Sequence, residues 1–250
     1  MRNHFIASIL TVAGVLALSS AAGAQSPNQG AAAKAQGAAS TPDLTGVWKI
    51  RPGGSPYVFT NDPLPMRPAA EQRYIYNTNE QDPEHHGRDE LAPHLRCYPP
   101  GMPAILTIPR PFEIVQVPGR VLIHYEWDHW SLQIYLDGRG HPEGWPWGWM
   151  GHSTGKWDGD TLVVDTAGLN DQSWLDLAGH IHSDALHIVE RIRRASRDTL
   201  VDVLTFEDPK MYTKPFQGQK VFQLIPNGKL AEHFVCENRL LKESREREKP

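Results

Sequence analysis

The chain has 250 residues, 29 acidic side chains against 25 basic ones, a net charge of −4 and two cysteines. The basic residues are not gathered into a patch interleaved with aromatics, so nucleic acid is excluded as the expected partner. Once the two ends are set aside, about residues 43–240 remain, which is one domain's worth of chain.

The first 24 residues read as a secretory signal peptide. Arg2 supplies the positive start, FIASILTVAGVLAL (5–18) is the apolar stretch, and Ala22-Gly23-Ala24 offers small residues for cleavage before Gln25. The apolar run is short for a membrane span, and no later segment is apolar enough to cross a bilayer. The expectation is a soluble, exported protein, periplasmic or secreted, with no membrane attachment after signal cleavage. Residues 25–42 are small, polar and aperiodic, a flexible leader. Residues 241–250 form a charged, solvated tail. In an oxidising compartment Cys97 and Cys236 are expected to pair, closing a long loop worth on the order of 3–5 kcal/mol in the chain-entropy view; two buried thiols are the alternative.

From Leu44 onward, β-rich runs alternate with turn signals. LTGVWKI (44–50) is a first strand. FEIVQV (112–117) and RVLIHYEW (120–127) flank Pro118-Gly119. SLQIYL (131–136) ends at Asp137-Gly138, and GHSTGKW (151–157) meets DTLVVDT (160–166) across Asp158-Gly159. ALHIVERIRRA (185–195), TLVDVLTFE (199–207), KVFQLI (220–225) and KLAEHFVCEN (229–238) complete the set. Asp-Gly and Asn-Gly accept the positive φ angles of tight hairpins. About ten such strands, with little helical periodicity, predict an all-β fold: an antiparallel up-and-down barrel with long irregular loops, closed so that no sheet edge is left bare. Pro68 to Tyr76 reads as a short helix. The Pro-, His- and Arg-rich residues 51–110 and the loop GRGHPEGWPWGWM (138–150) stand outside the strand pattern, as binding loops or as plugs over a barrel end.

Gly151-His152-Ser153-Thr154-Gly155 matches the G-x-S-x-G pattern of a nucleophile elbow, which would make Ser153 the nucleophile of a serine hydrolase. The elbow needs a strand before the serine and a helix after it. Here a Trp- and Pro-rich loop precedes and an Asp-Gly turn and strand follow, so the pattern stands as an alternative only.

Strand alternation sets Val121, Ile123, Tyr125 and Trp127 on one face and Leu122, His124, Glu126 and Asp128 on the other. If that polar row faces a barrel hollow, Glu126 becomes a sheltered base; if it faces water, it is ordinary surface. Gln133, Tyr135 and Asp137 share a face of the next strand, and His141 and His152 bracket the tryptophan loop. Trp145, Trp147 and Trp149 offer flat apolar area to a ligand, or cap the core. Glu190 and Arg191 point to opposite faces of their strand, and an inward Glu190 is a second acid–base candidate. His180 and His182, with Asp184 or His187, have metal-ligand types at H-x-H spacing, but no stronger metal motif supports them, and the expectation is no metal and no cofactor.

Several stretches, RCYPPGMP (96–103), DGRGHP (137–142), GHSTGKWDGDTLVVDT (151–166), HSDALHIVER (182–191), FEDP (206–209) and EHFVCEN (232–238), resemble a family of exported bacterial proteins with no assigned reaction. That resemblance implies export and a single β domain and directs attention to Asp137, His141, His152, Ser153, Asp165, Ser183 and Glu190. The overall form also looks like the lipocalin-like, or calycin, barrels, on strand count alone.

Taken together, the residues predict a metal-independent acid–base enzyme, of lyase, isomerase or cyclase type, acting on a small, partly apolar aromatic or terpenoid-like molecule in a barrel cavity. Glu126 would be the base, His152 or His141 the acid, and Tyr135 and Asp165 the orienting groups. His124, Asp128, Trp145, Trp147, Trp149 and Glu190 would contact the substrate. A lipocalin-like carrier without turnover and the Ser153 hydrolase are the alternatives.

Overall fold

The computed structural model describes residues 41–79, 92–144, 146 and 148–232. The proposed signal peptide, residues 25–40 of the leader, Trp145, Trp147, Cys236 and the charged tail lie outside the described residues. Cys97 is an exposed free thiol among the described ones.

Nine strands close into one barrel in chain order: β1 (Gly46–Ile50), β2 (Phe112–Val117), β3 (Arg120–Tyr125), β4 (Ser131–Tyr135), β5 (His152–Asp158), β6 (Thr161–Ala167), β7 (His187–Ser196), β8 (Thr199–Glu207) and β9 (Phe216–Leu224). β9 returns to β1, setting Trp48 against Leu224 and Ile50 against Phe222. The expected all-β barrel is therefore the fold. Of the anticipated strand at 229–238, residues 229–232 are irregular, and the rest lies outside the described residues. The hairpins turn at Gly119 (φ 75°) and Gly159 (φ 62°), where a Cβ would strain the backbone.

The barrel is mixed rather than purely antiparallel. β4 and β5 run parallel, pairing Ile134 with Ser153 and Tyr135 with Thr154, while every other neighbouring pair is antiparallel. Parity requires this: strands that alternate in direction around a closed ring must be even in number, so nine need at least one parallel pair. A parallel pair also needs a long return connection. Residues 136–151, the glycine- and tryptophan-rich loop, are that connection.

The interior is largely apolar. Trp48, Phe112, Ile134, Leu162, Leu204 and Phe222 are buried together, and Phe112 meets Phe222 edge-on at 4.8 Å. Val121, Ile123 and Tyr125 face this core, so Leu122 and His124 face outward. The strand then ends. Glu126 caps a 3₁₀ turn over Trp127–His129, in which Asp128 takes a left-handed φ of 46°. The polar row thus does not line a hollow, because the same alternation that turns it to one face gives the core to its apolar neighbours.

Two acids do enter the core. Glu190 on β7 and Asp202 on β8 stand in the otherwise apolar rows Ile188-Glu190-Ile192 and Leu200-Asp202-Leu204, and both are almost fully buried. Glu190 Oε2, Asp202 Oδ1 and the Tyr125 hydroxyl have no hydrogen-bond partner there. Burial, then the Asp202 charge and hydrogen bond, push the Glu190 carboxyl far up; burial pushes Asp202 up to about 7, against the lowering bond from Glu190. The pair holds a proton at neutral pH.

Outside the barrel, the helix α1 (Pro68–Thr78) starts on a proline at its first turn and packs on residues 174–182. Asn77 Nδ2 donates to the Gly179 carbonyl at 2.9 Å, and Tyr74 stacks on His180 at 4.2 Å. Asp208, just past β8, secures the same layer. Its carboxylate accepts the Ser183 N–H at 2.6 Å, the Ser183 hydroxyl at 2.8 Å and the Lys210 N–H at 3.0 Å. Asp208→Ala strands these buried donors, and is expected to cost about 2–4 kcal/mol in urea unfolding.

Candidate functional site

Polar side chains converge on the outer face of the barrel, beneath the 136–151 connection. The register brings them there. His152 opens β5 and Asp165 pairs with Thr154, so His152 lies diagonally beside Asp165. On the other side Asp165 pairs with Val189, which puts His187 on the opposite diagonal. The parallel register sets Tyr135, at the end of β4, next to His152; the rings stack at 5.4 Å with a 19° interplanar angle. The connection then lowers His141 onto the group.

The contacts form a chain. Asp165 Oδ1 lies 2.8 Å from His141 Nε2 and 2.8 Å from His187 Nε2. His141 Nδ1 lies 2.9 Å from His152 Nδ1. An ionised carboxylate only accepts, so both Nε2 atoms carry protons that they donate to Asp165. A neutral His141 then offers its Nδ1 lone pair to the Nδ1–H of His152, which places the His152 lone pair at Nε2. Electrostatics bear on the charge of His152 rather than on its tautomer, since a positive charge on His141 would put a proton on His141 Nδ1 and reverse the bond to His152. Burial, the His141 charge and the Arg139 charge all hold the His152 imidazole below its usual value, hence neutral. Burial raises the Asp165 carboxyl, but the hydrogen bonds and charges of His141 and His187 outweigh it and keep Asp165 low and ionised.

His152 is only 5% exposed, yet it forms the wall between two clefts. One, of about 620 Å³, is lined by Tyr135, Asp137, Arg139, Pro142 and His152. Arg139 covers Tyr135 at 4.0 Å and is clamped on Asp137 through Nε at 2.8 and 3.0 Å; that bond holds the Asp137 carboxyl at about 2. The other, of about 350 Å³, is more apolar, with Pro142, Ala167 and Leu186 beside His141, His152 and His187. Such an arrangement can take a proton at His152 Nε2 and spread the resulting charge through His141 to Asp165.

The remaining anticipated site residues lie elsewhere. Glu126 is buried, accepts the Ala231 N–H at 2.9 Å and sits 3.8 Å from Arg110, so it ties down the backbone at Ala231 and lines neither cleft. His124 bonds Ser131 at 2.8 Å and His129 at 3.2 Å on the outer face. Asp128 belongs to the 3₁₀ turn, and Glu190 to the barrel core. Trp149 packs on Tyr98, at 5.9 Å. His180 and His182 do not project together, because no strand holds them. His180 Nδ1 bonds Asp176 at 2.8 Å, whereas His182 is enclosed by Ser173 and Ser183. Among the described residues no group of three such side chains is placed to ligate a metal ion. Ser153 faces inward, is fully buried and bonds Thr166 Oγ1 at 2.8 Å, so its hydroxyl meets neither cleft and the elbow pattern is a strand entry.

Sequence reasoning missed His187 as the second donor to Asp165, and Arg139 as the cover on Tyr135. The signal for His187 was its parity with Val189 on β7; it needed the β6–β7 register to be read. No protein-family model and no curated protein matches the chain.

Proposed function

We propose that the protein is an exported, metal-independent acid–base enzyme acting on a small, partly apolar molecule. The reaction is a proton transfer of isomerase, lyase or cyclase type, and His152 rather than Glu126 is the base. The observation that carries this reading is the His152–His141–Asp165 chain with His152 at the boundary of two clefts. The substrate's apolar body occupies the cleft over Ala167 and its reacting C–H faces His152 Nε2. Tyr135, fixed between Arg139 and His152, orients it from the other cleft. The site lies under the parallel-strand connection, not in the barrel lumen.

A β-barrel also suits a lipocalin-like carrier, and one experiment separates the two. The purified protein is incubated in D₂O with a panel of small aromatic and terpenoid acids and ketones, and the recovered compounds are analysed by mass spectrometry. An enzyme of this kind leaves solvent deuterium or a rearranged product in one compound class, and Ala167→Met, which fills the apolar cleft, abolishes both. Saturable binding of a compound that returns intact and unlabelled supports the carrier instead.

A further inference from the structure

A second nucleophile–base pair lines a separate cleft, and no motif announces it. Ser173 Oγ lies 3.0 Å from His182 Nε2, and His182 Nδ1 lies 3.1 Å from the backbone carbonyl of Ser183. That carbonyl can only accept, so Nδ1 bears the imidazole proton and Nε2 bears the lone pair. The Ser173 hydroxyl must then donate to Nε2, which is the hydrogen-bond direction that activates a serine, with a carbonyl in place of the usual orienting carboxylate. Both residues are nine-tenths or more buried, yet both line a cleft of about 470 Å³ that shares no lining residue with the two around His152.

We propose that Ser173 and His182 form a nucleophile–base pair for acyl transfer, hydrolysing small esters that carry a carboxylate. Ser173 Oγ attacks the ester carbonyl carbon while its proton passes to His182 Nε2. The bond to the leaving oxygen breaks, and that oxygen takes the proton back as an alcohol. Water then cleaves the acyl–Ser173 ester, releasing the acid and restoring the hydroxyl.

Three features support this pair over a merely packed one. The Ser183 residue that orients His182 is itself held at two points by Asp208, at 2.6 and 2.8 Å, so the imidazole is fixed from behind. Gly101, in a left-handed conformation (φ 69°), passes so close that a Cβ there would stand 2.8 Å from Ser173 Oγ, leaving space at the hydroxyl that any other residue would fill. Among the described residues, Arg73 and Arg96 line the same cleft against one acid, Asp171, and give it a positive wall suited to a substrate carboxylate. Burial holds His182 below its usual value, despite the Ser183 carbonyl and the Asp208 and Asp171 charges, so the base is neutral at pH 7.

The test uses the full chain and a fluorophosphonate. The expected result is a covalent adduct that tandem mass spectrometry places on Ser173, absent in Ser173→Ala, and slowed about 100-fold or more in His182→Gln. With mono-4-nitrophenyl succinate and 4-nitrophenyl acetate as paired substrates, Arg73→Ala/Arg96→Ala lowers the succinate-to-acetate ratio of kcat/KM by about tenfold or more. An unlabelled Ser173 in protein with an unchanged melting temperature, or equal labelling of Ser173→Ala, overturns the nucleophile. An unchanged ratio overturns the carboxylate preference. Because Ala167→Met alters only the other cleft, it leaves this labelling rate as it is, which separates failure here from failure at His152.

Discussion

Replacing Asp165 with asparagine should reduce proton-transfer turnover by about 10²- to 10⁴-fold while changing stability by less than about 1 kcal/mol. The carboxylate is 45% exposed at its side chain, so solvent screens its ion pairs and little folding energy rests on them. Its chemical role is greater, because the direction of the whole chain of hydrogen bonds starts from it. An asparagine amide can offer N–H to His141, in which case His141 presents its proton at Nδ1, His152 must accept, and the basic nitrogen turns away from the cleft. His152→Gln removes the base itself and should lose at least as much activity. The acid limb of the kcat/KM profile reports the His152 base, and with its imidazole held below 6.5 by burial, that limb falls below 6.5 in the wild-type protein. Steady-state kinetics on the substrate from the D₂O screen would measure all three effects.

Unfolding in urea at pH 5 and pH 8 should show a core that weakens as the pH rises, and Glu190→Gln should remove the share of that slope that belongs to Glu190 and leave the share of the buried Asp202. In the unfolded chain Asp202 titrates near 3.8, and in the barrel burial moves it to about 7. Between these values the folded protein holds a proton that the unfolded chain has released. The stabilisation is therefore complete below the unfolded value and is lost as the pH climbs towards 7. One proton over that window corresponds to about 4 kcal/mol, of which the part above pH 5 is about 3 kcal/mol. Glu190 adds in the same direction, because both its burial and the neighbouring Asp202 oppose its charge. With glutamine at 190 no carboxyl has to be held protonated there and Asp202 can still accept from the amide, so the variant should be the more stable protein at pH 8. The lowered folded values of His152, His182 and Lys220 work in the opposite sense within this window, whereas Asp165, lowered from 3.8, stays ionised throughout it; the wild type to Glu190→Gln difference isolates Glu190.

The barrel could be read from alternating runs and Asp-Gly turns because each strand carries its own period and stop signals. The parallel pair could not be read from any one strand, although the long stretch 136–151 between two β runs was its local sign. Tyr135, His141, His152 and Asp165 entered one proposal because they flank that loop, and the register of β4, β5 and β6 brings them together. Glu126 was misplaced for a specific reason: alternation was extended past Tyr125, where the strand gives way to a 3₁₀ turn. The buried acids are legible in the apolar rows that hold them. Ile188-Glu190-Ile192 and Leu200-Asp202-Leu204 each place a carboxyl in an apolar row, and the β7–β8 register then joins them. Ser173 and His182 lie in irregular chain with no period and no motif, so only the folded loop could pair them.

The central claim is that His152 is a neutral imidazole whose basic nitrogen is Nε2, made so by His141 and Asp165. Long-range ¹H–¹⁵N correlation spectra of ¹⁵N-histidine-labelled protein at pH 7 test it without any substrate. The expected spectrum gives His152 a protonated Nδ1 and a bare Nε2, with a titration below 6.5 that shifts in Asp165→Asn. A His152 that is doubly protonated at pH 7, or protonated at Nε2, would contradict the account.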